Sequence, residues 1–221
     1  MRADSPESST HTIRDRSPIH LRAPRRLLVD IDGTLYYDFP VYRRFFRQLY
    51  GVSLRKADVQ IWDFFLPYLS REQFDVVIRE GLHAPATILS NKPFAGAVEV
   101  LSRWHAAGTE IHIISARAPA RLAVTEAWLD AWGIPFSVLV CDNPIDKVAY
   151  ARENNCELLI DDKPQTIEAA MAAGLVAASI RTNWTQSVKA RYPQLLVARS
   201  WTALGSMVER ALGAPAERRP G

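Results

Sequence analysis

Residues 25–38, Arg-Arg-Leu-Leu-Val-Asp-Ile-Asp-Gly-Thr-Leu-Tyr-Tyr-Asp, constrain the fold more than any other stretch of the chain. Leu27, Leu28 and Val29 form an apolar run of the kind buried on both faces of a parallel sheet, and they lead directly into Asp30, Ile31, Asp32 and Gly33. A buried strand therefore ends in two carboxylates. Alternation along an extended segment turns Asp30 and Asp32 the same way, and Gly33 lets the chain leave the strand sharply at its carboxyl end. In open α/β sheets that edge is where ligands bind. Two like charges side by side call for a cation, or for one partner to be protonated. An Asp-Gly hairpin turn is the alternative, but a second strand should then follow, and Tyr36, Tyr37, Asp38, Phe39 and Pro40 do not make one.

The next fifty residues do not continue the sheet. Segment 41–50 has the apolar spacing of a helix stopped by Gly51, and 59–69 is a block rich in Trp62, Phe64, Phe65 and Tyr68. Ser70 and Gln73 make a capping box that opens a further helix ending near Gly81. Strand and helix then alternate. Helix 94–107 precedes strand 110–114, which ends in Ser115, Ala116 and Arg117, and helix 119–132 is broken by Gly133. Strand 136–141 leads to a helix opened by Lys147, and strand 158–160 ends in Asp161, Asp162, Lys163 and Pro164. A helix to Gly174, a last strand over 175–180 and a helix over 201–212 complete the pattern. Adjacent acids at a buried strand end are costly unless something positive sits there. Two or three carboxylates plus a phosphate oxygen suit Mg²⁺, a hard cation that takes oxygen ligands and keeps several waters.

The hexapeptide Asp30-Ile31-Asp32-Gly33-Thr34-Leu35 resembles the DxDGT motif of the haloacid-dehalogenase (HAD)-like hydrolases, and Ser115, Lys147 and the Asp161-Asp162 pair resemble that superfamily's second, third and fourth motifs in order. The resemblance implies a three-layer α/β/α sandwich with a parallel Rossmann-like sheet and a small helical type 1 cap. Its expected parts are a core over 24–38 and 91–213, a cap over 39–90, and disordered tails over 1–23 and 214–221. It also implies chemistry. Asp30 would attack phosphorus to give an aspartyl-phosphate, Asp32 would serve as general acid and base, and Lys147 would neutralise charge between nucleophile and phosphate. Thr34, Ser115, Ala116, Arg117 and Lys147 would hold the phosphoryl oxygens. Mg²⁺ would be held by Asp30, Asp32, Asp161 and Asp162, with Asp162 the better direct ligand. The second acid, Asp32, favours a phosphatase or mutase over a dehalogenase or transport ATPase.

Composition narrows the partners. The 221 residues, 48% hydrophobic, hold no apolar run near the ~18 residues of a membrane span. Two cysteines, Cys141 and Cys156, are too few for a disulfide framework, and no secretory signal opens the chain, so the expected compartment is the cytoplasm. Five scattered histidines make a zinc site improbable. Residues 1–26 carry six arginines against three acids, which accounts for the whole net charge of +3 and leaves the body near neutral. A basic tail is the sole feature pointing to nucleic acid.

The expected partner is a small phosphorylated metabolite. The compact lid and the Leu-Leu-Ile-Asp-Asp-Lys-Pro stretch are similar to the 5'(3')-deoxyribonucleotidases and related bacterial nucleotidases, which implies a nucleoside monophosphate. Alternatives are a sugar phosphate or phosphoglycolate, the phosphorylated end of a nucleic acid, and a catalytically silent binding module. The sequence does not set the oligomeric state; a homodimer is one option.

Overall fold

The computed structural model describes residues 21–214, and the tails expected to be disordered lie almost wholly outside them. Among the described residues before 24, the Arg22 guanidinium donates to both carboxylate oxygens of Glu157 at 2.9 and 3.0 Å.

Strands β1 (Arg26–Val29), β2 (Glu110–Ser115), β3 (Val138–Cys141), β4 (Leu158–Ile160), β5 (Val176–Ile180) and β6 (Leu196–Ala198) form one sheet in the order β3-β2-β1-β4-β5-β6. Each pairing is parallel, with Leu27 opposite Ile111 on one side and Leu158 on the other. This is the doubly wound order, and its reversal falls between β1 and β4, where a crevice opens at the carboxyl ends of the strands.

The strands' side chains divide by parity. Leu27 and Val29 enter a core with Trp104, Trp128 and Trp201, beneath helices α4 (Ala97–Ala106), α5 (Leu122–Trp132) and α9 (Trp201–Gly213). Leu28 and Leu159 enter the opposite core with Ala151, Ile167 and Val188, beneath α6 (Lys147–Glu153), α7 (Pro164–Ala172) and α8 (Asn183–Arg191). The result is the expected α/β/α sandwich, since a strand buried on both faces needs helices on both.

Between β1 and β2 lie α1 (Phe39–Tyr50), α2 (Arg71–Val76) and α3 (Pro85–Ser90), with a π-helical turn, Val77–Leu82, continuing α2. Ser70 and Gln73 make the expected capping box. Phe39, Phe46, Leu54, Phe64, Phe65, Leu69 and Val77 form a small core of their own. Phe65 and Phe74 stack with centroids 4.0 Å apart, so much of the aromatic content packs on itself. The insertion is tied back to the sheet layer through Ile88, which enters the large core, and through the Trp128 indole, which donates to the carbonyl of Asn91 at 2.8 Å.

Two elements depart from expectation. β5 is not the last strand, because β6 pairs beyond it, and the polar segment after β5 forms α8. A three-residue edge strand is too short to show a period. The α8 helix is capped by Thr182 and buries just Thr185 and Val188, so it lacks an apolar stripe.

Candidate active site

The chain turns immediately after β1. The amides of Thr34 and Leu35 both donate to the carbonyl of Ile31, and Gly33 adopts φ +74°. A β-carbon at Gly33 would sit 2.2 Å from Asp162 Oδ2, so glycine is required here both for the turn and for the approach of β4's acids. The amide of Asp30 donates to the carbonyl of Ile160 at 2.9 Å, which fixes the two strand ends side by side.

That juxtaposition builds the centre. Oxygens of Asp30, Asp161 and Asp162 lie within 4.8 Å of one another, and all three residues are buried. Lys147, the first residue of α6, sends its ammonium between two of them, 2.6 Å from Asp30 Oδ1 and 2.8 Å from Asp161 Oδ2. Asp146 fixes the start of that helix by accepting from the amides of Val148 and Ala149. The other oxygen of Asp161 accepts from the amide of Lys163 at 2.7 Å. The carboxylate of Asp162 accepts no hydrogen bond among the described residues.

One ammonium does not neutralise three carboxylates. Burial pushes Asp30 up to about 7, with Lys147 opposing the shift and Asp161 and Asp32 adding to it. Asp162 is held well above the ordinary range by burial and then by Asp161. Lys147 stays an ammonium: burial acts against it, but Asp161 and Asp30 hold it above the usual lysine value. The surplus negative charge, the all-oxygen donor set and the unengaged Asp162 fit a hard divalent cation.

Asp32 goes elsewhere. It lies in the turn and not in the strand, so alternation no longer sets its direction, and of the four acids expected around Mg²⁺ it is the one outside the trio of Asp30, Asp161 and Asp162. The Arg117 guanidinium grips it with Nε at 3.1 Å and a terminal nitrogen at 2.9 Å, the Tyr36 hydroxyl donates to it, and His83 Nε2 stands 3.3 Å away. Burial alone would raise Asp32, but Arg117 and His83 outweigh burial and hold it well below the usual carboxylate range.

Arg117, expected at the phosphate, is turned into the interior in this arrangement. It has no exposed surface, and its nitrogens are occupied by Asp32, Tyr36 and Thr125. Ser115 is fully buried, its hydroxyl accepting from the Arg117 amide at 3.3 Å, while Ala116 is exposed on the cleft wall. The Thr34 hydroxyl is buried without a partner among the described residues, outside the cleft, and its carbonyl accepts from the Trp201 indole at 2.9 Å.

A cleft of about 550 Å³ contains Asp30, Asp32, Lys147, Asp161 and Asp162 on one side and Ile78, Arg79, Leu82 and His83 of the insertion on the other. A second cavity of about 410 Å³, lined by Tyr37, Phe39, Phe74 and Trp184 among others, shares Tyr42, Trp62, Ile78 and Asp162 with it.

No protein-family model matches the sequence, and no curated protein does. Solved structures do match. A HAD-family hydrolase from Deinococcus radiodurans with bound phosphate and sodium superposes with TM-score 0.60 at 19% identity, over 88% of this chain and 100% of its own. A haloacid dehalogenase-like hydrolase from Streptococcus pneumoniae does so with TM-score 0.59 at 14% identity, over 80% and 94%. A mutant of CbbY from Rhodobacter sphaeroides in complex with xylulose bisphosphate gives TM-score 0.55 at 15% identity, over 84% and 96%. The fold is that of the HAD-like hydrolases.

Within this HAD-like fold, the residues that sequence reasoning missed are the partners of Asp32. Tyr36 lies in the stretch read as following the motif, but nothing marks its hydroxyl as a ligand of Asp32. His83 is one of the scattered histidines and reaches Asp32 from a different part of the chain. A further residue missed is Asp38, a second acid near Asp32: burial, then the charge of Asp32, pushes its carboxyl up to about 7, and it lines the aromatic cavity. Among the described residues no helix is long and apolar enough to cross a membrane.

Proposed function

We propose that the chain is a Mg²⁺-dependent phosphatase that cleaves a small phosphomonoester through an aspartyl-phosphate on Asp30. The observation that carries this reading is Lys147, whose ammonium bridges Asp30 and Asp161 beside the unengaged carboxylate of Asp162. A divalent ion held by Asp30 and Asp162, with Asp161 in support, would screen the approach of an anionic phosphate and polarise its oxygens.

In this mechanism Asp30 attacks phosphorus with its free oxygen, the bond from phosphorus to the ester oxygen breaks, and the leaving alcohol takes a proton. Lys147 holds the second Asp30 oxygen and so orients the nucleophile. Water then attacks the phosphorus of the acyl phosphate, its proton passes to a base, and Asp30 is released with inorganic phosphate. Asp32 is the proposed base, taking the proton of the attacking water and returning it to the next leaving oxygen; because Arg117 and His83 hold it ionised in this arrangement, its pairing with Arg117 must loosen for it to carry that proton. The backbone beside Ala116 supplies the wall against which the phosphoryl oxygens rest.

For the substrate, our reading is a nucleoside monophosphate. Its support is the aromatic cavity that opens from Asp162, large enough for a flat ring system and edged by Trp62 and Trp184, whose centroids are 5.8 Å apart. A sugar phosphate is the second reading, favoured by the xylulose bisphosphate in the CbbY structure. Turnover of a panel of nucleoside monophosphates, sugar phosphates, phosphoglycolate and a generic aryl phosphate tests both levels. Mg²⁺-dependent turnover supports the phosphatase, and a preference for base-bearing esters supports the nucleotide. Absence of turnover across the panel leaves a binding module, and turnover without such a preference removes the nucleotide.

A further inference from the structure

The cleft contains cations that its acid cluster does not engage. Lys147 is committed to Asp30 and Asp161, and His83 lies against Asp32. Arg121, at the end of the short helix Pro119–Arg121, and Lys163, after β4, line the same cleft, and neither takes part in an ion pair among the described residues. Arg79 faces the cleft from the insertion and pairs only with its neighbour Glu80, through Nε at 2.9 Å, leaving the rest of its fork open. Alanines 116, 118 and 120 leave room beside Arg121. Apart from the acids already described, the cleft's single carboxylate is Asp75.

We propose that Arg121, with Lys163 and Arg79, forms a second anion subsite, so that the natural substrate carries a further anionic group beyond the phosphate that is cleaved; this narrows the nucleotide reading from a simple nucleoside monophosphate to one bearing a second phosphate, and the sugar-phosphate reading to an ester with a second phosphate or a carboxylate. Arg121 is half-buried, and a half-buried guanidinium with no counter-ion is best satisfied by a ligand oxygen pair, which its planar fork matches. The two subsites are lined by loops that follow β2 and β4, so one ligand spanning the cleft would touch both. The inference rests on the phosphatase reading for its first subsite but not for its test.

The test is calorimetric binding to the full chain in Mg²⁺, with phosphonates that no phosphatase cleaves: propylphosphonate, trimethylene bisphosphonate and phosphonobutyrate. At least one of the two probes with a second anionic head should bind about tenfold more tightly than propylphosphonate. An advantage for both assigns the second group as any anion, and one confined to the bisphosphonate assigns it as a phosphate. Arg121→Gln should bring the ratio close to one, and Arg121→Lys should restore part of it. Equal affinity for all three probes, or an advantage that survives both Arg121→Gln and Lys163→Gln, overturns the subsite. Loss of catalytic turnover alone would count against the phosphatase and leave this result standing.

Discussion

The guanidinium of Arg117, without exposed surface, holds both carboxylate oxygens of Asp32 at 2.9 and 3.1 Å. Breaking such a pair leaves a buried charge without its partner, at a cost of about 3–5 kcal/mol. Arg117→Met should lower unfolding stability by that order. Arg117→Lys should recover only part of it, since an ammonium cannot span two oxygens. Urea unfolding checks both; a change under about 1 kcal/mol in Arg117→Met would mean that the pair is replaceable.

Gly33 is where the turn and the acid cluster meet. A side chain there must tolerate φ +74° and displace Asp162, whose Oδ2 would be 2.2 Å from the new β-carbon. The backbone strain alone costs about 1–3 kcal/mol. Gly33→Ala should therefore lower the thermal midpoint and also suppress its rise on adding Mg²⁺. A variant that is destabilised but still gains the full Mg²⁺ shift would separate the turn from the metal site.

Proton competition sets the pH dependence of the ion. Asp30 is pushed up to about 7 from the ordinary value of 3.8, so between those values the folded metal-free protein holds a proton that the unfolded chain has released. Stability of the metal-free form then falls as pH rises through that window, because the folded state binds more protons. A divalent ion must displace this proton, so below about pH 7 its affinity should weaken by up to about tenfold per pH unit. Mg²⁺ titrations followed by thermal midpoint at several pH values check this; an affinity flat from pH 5 to pH 8, to within about a factor of two, contradicts it.

The aromatic cavity makes a prediction about substrate. Stacking on a ring is worth about 1–3 kcal/mol per base. Trp62 belongs to both cavities and contacts Trp184 edge to face. Trp62→Ala should raise KM for a nucleoside monophosphate about tenfold or more and alter that for a sugar phosphate far less. Equal effects on both would assign Trp62 to lid packing.

The parts of the centre visible in the sequence are those where a buried strand runs into charge. Asp30, Asp161 and Asp162 stand out because apolar triplets precede them, and the position of Lys147 at a helix start follows from the alternation. The fold was readable for the same reason: Leu27, Leu28 and Val29 can be buried on both faces only in a covered sheet. β6 and α8 were not readable, being too short or too polar for a period to show. A guanidinium after a strand looks the same in sequence whether it faces a cleft or the interior; the inward course of Arg117 involves Tyr36 and Thr125, which the local sequence does not connect to it. His83 carried no signal, because its contact with Asp32 spans the insertion.

The central claim is that Asp30 captures phosphorus. Acid quenching of the full chain during turnover of an aryl phosphate in Mg²⁺, followed by mass spectrometry of its peptides, tests it directly. The account predicts a phosphoryl group on the peptide containing Asp30, absent in Asp30→Asn, whose turnover is lost. Undiminished turnover in Asp30→Asn, or a phosphoryl group on a different residue, contradicts it.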